Sequence, residues 1–391
     1  MNTLYQKIIE DNETAFYVFD MVELKRRVAY LRYSLPKQVE LCYAVKANPF
    51  IAGEISDYVN RLEICSPGEA EVCFSLGVDK SKMVISGVYK TPSVIEKIVK
   101  DKSFNGIFTA ESVSQWEMLT SLSKKYNRKL SVLLRLTNQS QFGMNKEEIE
   151  QIIAVRDAEP LTEIIGIQFF SGTQKTSVKK IRHEIEMLDE FISHLRDKYD
   201  YNVAELEYGP GFPVAYFKDD GFDEQTYLEE FSALITGMKN KPRIILELGR
   251  SIAASCGKYY THIVDIKHNS GQNYLIVDGG MHHIVYFGQY MAMRQPGISA
   301  VGKNEINKEK TWNVCGSLCS MNDILAKQIY LPDVEVGDLL CFENTGAYCM
   351  TEGISLFLTR EIPAIWFLKD NGEFMLVRKP LETAPFNTPS F

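Results

Sequence analysis

Eight short, β-rich apolar runs recur at nearly even spacing through the N-terminal two-thirds of the chain. They cover residues 39–45, 61–65, 83–86, 106–109, 131–136, 163–169, 203–207 and 243–246. Seven steps of about 29 residues separate the first from the last, which is the length of one strand-plus-helix unit. Helical periodicity fills most of the intervals. It is strongest over 177–199, where Ile181, Ile185, Leu188, Ile192 and Leu195 share one face. A second stretch, 223–239, carries Tyr227, Phe231, Leu234 and Met238 at the same period. Eight such units closing on themselves give an α/β fold, the (β/α)8 TIM barrel, whose catalytic groups sit at the C-terminal strand ends.

The polar and glycine residues fall at those ends. Lys46 follows the first run, Ser66 and Glu69 the second, Gly87 and Lys90 the third, and Glu111 the fourth. Arg135 lies in the fifth. Gly172 and Thr173 follow the sixth, Gly209-Pro210-Gly211 the seventh, and Glu247 with Arg250 the eighth. The competing reading is that charges at strand ends simply face water.

Beyond Gly257 the rhythm changes. Strand-like runs at 259–266, 274–277, 312–314, 338–342 and 364–368 dominate, and helical periods are sparse. A C-terminal, mostly antiparallel β domain is expected there. The run 15–19 reads as an extra strand of it. The expected division is a barrel over 22–250 and a β domain built from 1–21 and 251–391. The tail, 382–391, reads as a mobile end.

Composition narrows the function classes. With 43 basic against 51 acidic residues the net charge is −8, which offers nothing to attract a polyanion, so no nucleic-acid partner is expected. The eight cysteines form no CxxC pair, and scattered thiols fit a reducing cytoplasm. No apolar run reaches 18 residues, so no membrane span is expected. The first residues, MNTLYQKIIEDNETAF, lack the apolar stretch of a secretory signal.

Four segments carry chemistry. A lysine at a barrel strand end, as in Tyr43-Ala44-Val45-Lys46-Ala47-Asn48, is partly desolvated, which lowers an amine's pKa and suits it to a Schiff base. A lysine snorkelling at the rim is the alternative. Gly209-Pro210-Gly211 after a strand lets backbone N–H groups approach a phosphate, although an ordinary turn has the same residues. Gly172-Thr173 adds an N–H and a hydroxyl. Glu247 at a strand end needs a partner: a protonated pyridine nitrogen, or Arg250 three residues on. Arg250 is equally suited to a phosphate oxygen. Gly316-Ser317-Leu318-Cys319 and Gly346-Ala347-Tyr348 lie in the β domain and are bland alone.

Together, YAVKAN (43–48), EICSPGEAE (63–71), Arg135 with Gln141-Phe142-Gly143, GIQFFSGTQ (166–174), GPGFP (209–213), ELGRS (247–251), VDGGM (277–281), GSLC (316–319) and NTGAY (344–348) resemble the fold-type III PLP-dependent decarboxylases, the ornithine/diaminopimelate decarboxylase family. The motifs occur in family order and cover nearly the whole chain. The resemblance implies an alanine racemase-like barrel that holds pyridoxal 5′-phosphate (PLP), plus a β domain. It implies that Lys46 bonds PLP and that Glu247 pairs the pyridine nitrogen. Gly209, Gly211, Thr173, Arg250 and Tyr348 would hold the phosphate. Glu63 and Arg135 match positions near the cofactor. Cys319 matches the cysteine that protonates Cα, contributed in the family by the partner subunit of a homodimer, and Asp278 matches a residue of that shared site.

Three departures bear on the substrate. The position that usually stacks a histidine on PLP is Phe170. The acid that follows the cysteine in decarboxylases of free diamino acids is replaced by Ser320, and the arginine of the diaminopimelate enzymes by Tyr286. A site built for a charged distal end rejects ligands that lack it. Without those groups, the expected substrate has an uncharged or extended distal end. GIQFFSGTQ, VDGGMHH and the C-terminal motifs look most like the branch that decarboxylates an amino acid tethered to an acyl-carrier protein, as in butirosin biosynthesis. His282-His283 as neighbours on a strand would point to opposite faces, so no metal is expected there. The other functions considered are decarboxylation of free diaminopimelate, lysine or ornithine, a catalytically silent PLP-binding regulatory protein, and an amino-acid racemase.

Overall fold

The computed structural model describes residue 12, residues 14–303 and residues 310–390. The parts of the expected β domain at 1–11, 13, 304–309 and 391 lie outside the described residues. Contacts divide the chain into two compact units. One comprises Val28–Pro213 and Asp223–Ile252; the other comprises Met1–Arg27, Val214–Phe222 and Ala253–Phe391.

Strand β1 (Phe16–Asp20) belongs to the second unit. The first unit contains β2 (Glu40–Ala44), β3 (Arg61–Ile64), β4 (Met83–Ile85), β5 (Ile107–Ala110), β6 (Leu130–Leu136), β7 (Thr162–Phe170), β8 (Glu205–Gly209) and β9 (Arg243–Leu248). They pair in parallel, each with the next, and β9 pairs back onto β2 to close the barrel. All eight expected strands are present, displaced by a residue or two. The helix over Val178–Tyr199 buries all five residues of its expected face. The helix Glu224–Gly237 buries Tyr227, Phe231 and also Ile235; Asp223 caps it by accepting from the Thr226 N–H.

Both faces of each barrel strand are covered, so the strands read as near-continuous apolar runs. The two-residue strand period sorts them. Cys42, Val84, Ile107, Leu133 and Ile245 form one buried cluster contributed by five strands. Two residues further along β6 and β9, on that same face, stand Arg135 and Glu247. An apolar layer therefore lies beneath a layer of ionisable groups at the C-terminal strand ends.

The second unit is a mixed sheet. Its further strands are β10 (Gly257–Asn269), β11 (Gln272–Val277), β12 (Ile298–Ala300), β13 (Lys310–Cys315), β14 (Ile324–Leu331), β15 (Leu339–Phe342), β16 (Ala364–Leu368) and β17 (Phe374–Arg378). The order is β14-β13-β11-β10-β1-β16-β17, with β15 pairing both β10 and β12. The expected run 15–19 is β1, which pairs antiparallel with β10 and parallel with β16. The C-terminal residues differ from expectation. Thr383 is buried and donates its hydroxyl to the Arg360 carbonyl, a short helix spans Ala384–Asn387, and Asn387 donates to the Leu356 carbonyl. Those bonds tie the tail to the sheet unit. Among the described residues no helix is long and apolar enough to cross a membrane.

Candidate active site

Lys46 sits in a single 3-10 turn, Val45–Ala47, that ends β2. Its Nζ donates to Glu63 Oε2 at 2.6 Å and to Glu247 Oε1 at 3.3 Å, and lies 3.6 Å from Cys65 Sγ. The lysine side chain is 35% exposed, while both carboxylates are buried. The amine is thus reachable from solvent on one side and held by charge on the other. Burial raises the Glu63 carboxyl, but the Lys46 charge and hydrogen bonds outweigh it and hold the group below its ordinary value. For Glu247, burial and the Glu63 charge win over Lys46 and push the carboxyl up to about 7. One acid is fixed as a carboxylate and its neighbour is poised near neutrality, the kind of split that marks functional sites.

Gln168 on β7 donates Nε2 to Glu247 Oε2 at 2.9 Å. Arg135 Nη1 lies 2.8 Å from Glu111 Oε2 as an ionic contact, its guanidinium covers the Phe142 ring, and its buried Nε has no hydrogen-bond partner. Phe170 ends β7 with its ring 6.0 Å from Lys46 Nζ. Lys90, buried, donates to the Gly87 carbonyl and to Gln115; burial pulls its amine down to about 8 against the pull of Glu111. Ser66 and Glu69 serve a helix start: Ser66 caps Pro67–Ser75, and Glu69 accepts from the Cys65 N–H.

The glycine loops lie at the ends of β7 and β8. A Cβ on Gly209 would stand 2.3 Å from the Phe170 ring. One on Gly211, at φ +64°, would stand 2.0 Å from the Gly172 carbonyl oxygen. Side chains are excluded at both because neighbouring protein atoms already fill the space, so the two loops pack closely on each other and on Phe170. Arg250 Nε donates to Thr173 Oγ1 at 3.2 Å. Glu247 therefore turns to Lys46 and Gln168 rather than to Arg250.

In the sheet unit, Cys319 is exposed at the tip of a tight loop. The loop is held from behind by buried Asp323, whose carboxylate accepts from the Leu318 N–H at 2.8 Å and the Met281 N–H at 2.7 Å. Ser320 follows Cys319, and its hydroxyl accepts from Asn322 N. Asp278 accepts from Thr261, from the His262 N–H and from His262 Nδ1. Tyr286 is buried and donates its hydroxyl to the Glu343 carbonyl at 2.6 Å. Tyr348 adopts φ +65°, a left-handed conformation that costs a non-glycine residue energy and is tolerated where surrounding structure imposes it. His282 and His283 lie in a turn, not a strand, and their ring centroids are 3.8 Å apart. The expectation of opposite faces fails because the chain turns at Gly280. Burial pushes His282 down to about 3 and His283 down to about 4.

Residues 16–346 match the family model described as the pyridoxal-dependent decarboxylase, C-terminal sheet domain. The chain belongs to this family of pyridoxal-dependent decarboxylases. Its curated relatives are decarboxylases over nearly their full length. It is 27% identical to the L-glutamyl-[BtrI acyl-carrier protein] decarboxylase of Niallia circulans, covering 94% of this chain and 91% of that protein. It is 23% identical to the 2-[(L-alanin-3-ylcarbamoyl)methyl]-2-hydroxybutanedioate decarboxylase of Staphylococcus aureus, covering 93% and 96%. The Helicobacter pylori diaminopimelate decarboxylase complexed with L-lysine has the same fold, with a TM-score of 0.84 at 21% identity over 97% of this chain and 98% of that one.

Sequence reasoning brought Lys46, Glu63, Glu247, Phe170, Thr173 and Arg250 of this decarboxylase to one end of the barrel. It passed over three participants. Cys65 lay inside a quoted motif but its approach to Lys46 went unread. Gln168 was read only as part of GIQFFSGTQ. Asp323 carried no motif; its one signal is that Gly280 and Gly316 leave room for its carboxylate, since a Cβ on either would stand under 3 Å from it.

Proposed function

We propose that this PLP-dependent decarboxylase acts at Cα of an amino acid whose distal end is masked or tethered. The observation that carries the cofactor placement is the Lys46 amine held between Glu63 and Glu247 at the barrel mouth. The residues fit PLP. A reachable amine suits its aldehyde, a buried carboxyl suits its ring nitrogen, and glycine loops with the Thr173 hydroxyl and the Arg250 guanidinium at the same strand ends suit its phosphate.

In this reading Lys46 is the amine that would hold the cofactor through its aldehyde. Glu247 would hold the ring nitrogen. Gly209, Gly211, Thr173, Arg250 and Tyr348 would hold the phosphate. Phe170, Glu63 and Arg135 would line the cofactor. The boundaries are a barrel over 22–250 and a β domain over 1–21 and 251–391. Bound PLP supplies the electron sink for the pair released when the α-carboxylate leaves as CO2. Cys319 delivers the proton that replaces the carboxylate on Cα, and its thiol is restored from solvent. Exposure at a loop tip suits it to act in the second subunit of a homodimer, with Asp278 at the shared site. Eight free cysteines support a cytoplasmic protein.

Two observations support a masked distal end. Ser320 puts no charge beside Cys319, and the Tyr286 hydroxyl is already satisfied by a backbone carbonyl. Two relatives are named for substrates with large distal substituents, one of them carried on an acyl-carrier protein. A mass-spectrometric screen of amino acids, free and loaded on a carrier protein, tests the reading. Loss of CO2 from the carrier-bound acid is expected. Turnover of free diaminopimelate, lysine or ornithine alone overturns it. Loss of no CO2 from any candidate points to a silent binding protein, and a D-amino acid at unchanged mass points to a racemase.

A further inference from the structure

Gln168 faces two carboxyl groups. On one side its Nε2 donates to Glu247. On the other lies Glu207, its register partner on the adjoining parallel strand. In-register neighbours on parallel strands stand about 4.8 Å apart with side chains on the same face. Both point into the barrel, since Gln168 reaches Glu247 and Glu207 reaches Arg61 Nη1 at 3.3 Å. Yet Gln168 Oε1 and Glu207 Oε1 are both buried without a partner. Two buried acceptors beside each other are costly, and one proton on the acid satisfies both.

Charge balance leads to the same place. Arg61 makes its shorter bond, 2.7 Å, to Glu205, and Arg243 pairs Glu205 and Glu40. Two guanidiniums and two carboxylates balance without Glu207. Lys46 is engaged by Glu63 and Glu247. An ionised Glu207 would have to share Arg61 with Glu205, leaving one negative charge in excess at the buried site.

We propose that Gln168 is a positioning residue that bridges a protonated Glu207 to an ionised Glu247, so that the amide fixes which of the two carboxyls carries the proton. An amide between two acids satisfies both only when one is neutral and the other charged, because it offers one acceptor and one donor edge. The groups facing Glu207 are Arg61, Glu247, Glu63 and, across β2, Cys42. Burial leads, Arg61 opposes it, and the neighbouring carboxylates add to it, pushing Glu207 up to about 8. The consequence is that Glu247 gives up its proton before Glu207 does, despite its burial. This inference rests on Glu247 as the group that holds the ring nitrogen.

Infrared difference spectroscopy on the cofactor-free protein at a pH between about 7 and about 8, above Glu247 and below Glu207, tests it directly. Glu207→Gln should remove one carboxylic-acid C=O band, and Glu247→Gln should remove carboxylate bands instead. In the unmutated protein the acid band should titrate away as pH rises through about 8. Gln168→Leu should leave Glu247 without its donor, adding a second acid band and weakening PLP binding by about tenfold. Loss of carboxylate bands in Glu207→Gln, or no titrating acid band in the unmutated protein, overturns the bridge. If the bands behave as expected but the unmutated protein takes up no PLP, the bridge stands and the cofactor placement fails.

Discussion

At the barrel mouth the Lys46 amine is held by charge; in the sheet unit the Cys319 thiol is exposed. Lys46 has two carboxylates within 3.3 Å, both buried. Cys319 is exposed, and what is fixed is the loop beneath it, through Asp323 and two backbone N–H groups. The difference teaches how each group is prepared. The amine is prepared by electrostatics, so its neighbours cannot change without altering its chemistry. The thiol is prepared by position alone, so it can be replaced without disturbing the fold, while the buried residue behind it cannot.

The largest break in that comparison comes from Lys46→Ala. Loss of the visible absorbance of bound PLP is expected, with activity down by about a thousandfold or more. Persistence of that absorbance would place the cofactor on another amine, with Lys90 the next to examine.

Cys319→Ala should lower kcat by about 10² to 10⁴, or send the proton to Cα with altered stereochemistry, because a positioned proton donor contributes on that scale. The melting temperature should stay where it is. Unchanged kinetics and product would remove Cys319 from the mechanism and leave only its loop to explain.

Asp323→Ala inverts the pattern. Two N–H groups lose their acceptor, at about 1–3 kcal/mol each, so the sheet unit is destabilised and kcat falls with the loss of loop order. Calorimetry against Cys319→Ala separates the two effects. A stable Asp323→Ala protein with full activity would show that the loop holds itself.

The legible and illegible parts divide along the same line. Strand ends in parallel barrels are announced by period and by the residues just beyond them, so Lys46, Glu247 and the glycine loops could be placed from spacing. In the sheet unit the five expected C-terminal runs are strands, and the three strands that were not expected are short or irregular. Ile298–Ala300 is too short to show alternation. Ile324–Leu331 carries Gln328 at φ +52°, which breaks it. Phe374–Arg378 exposes both Met375 and Leu376, so it shows no alternation of buried and exposed residues. Gln168 and Asp323 were hidden for another reason. Gln168 meets Glu247 79 positions away, and Asp323 ties its own loop to Met281 42 positions away, and no local pattern encodes either meeting.

The smallest effect sharpens the comparison through pH. Glu207 and Glu247 have folded-state values raised to about 8 and about 7 from an ordinary 4.5, chiefly by burial. The folded protein therefore binds protons more tightly than the unfolded chain. Their contribution to stability is complete below about pH 4.5 and is lost as pH rises through about 8. Glu63 runs the other way: its lowered value contributes above pH 4.5 and is lost on acidification. Asp323 in the sheet unit, raised by burial, shares the sign of Glu207. The cofactor-free protein should thus melt several degrees lower at pH 8 than at pH 5, roughly 3–8 °C. Glu207→Gln keeps a neutral side chain at the position and should remove that residue's part of the slope, leaving the shares of Glu247 and Asp323. A slope untouched by Glu207→Gln would assign the pH dependence to Glu247 and Asp323 and would mean that Glu207 carries no proton the unfolded chain lacks.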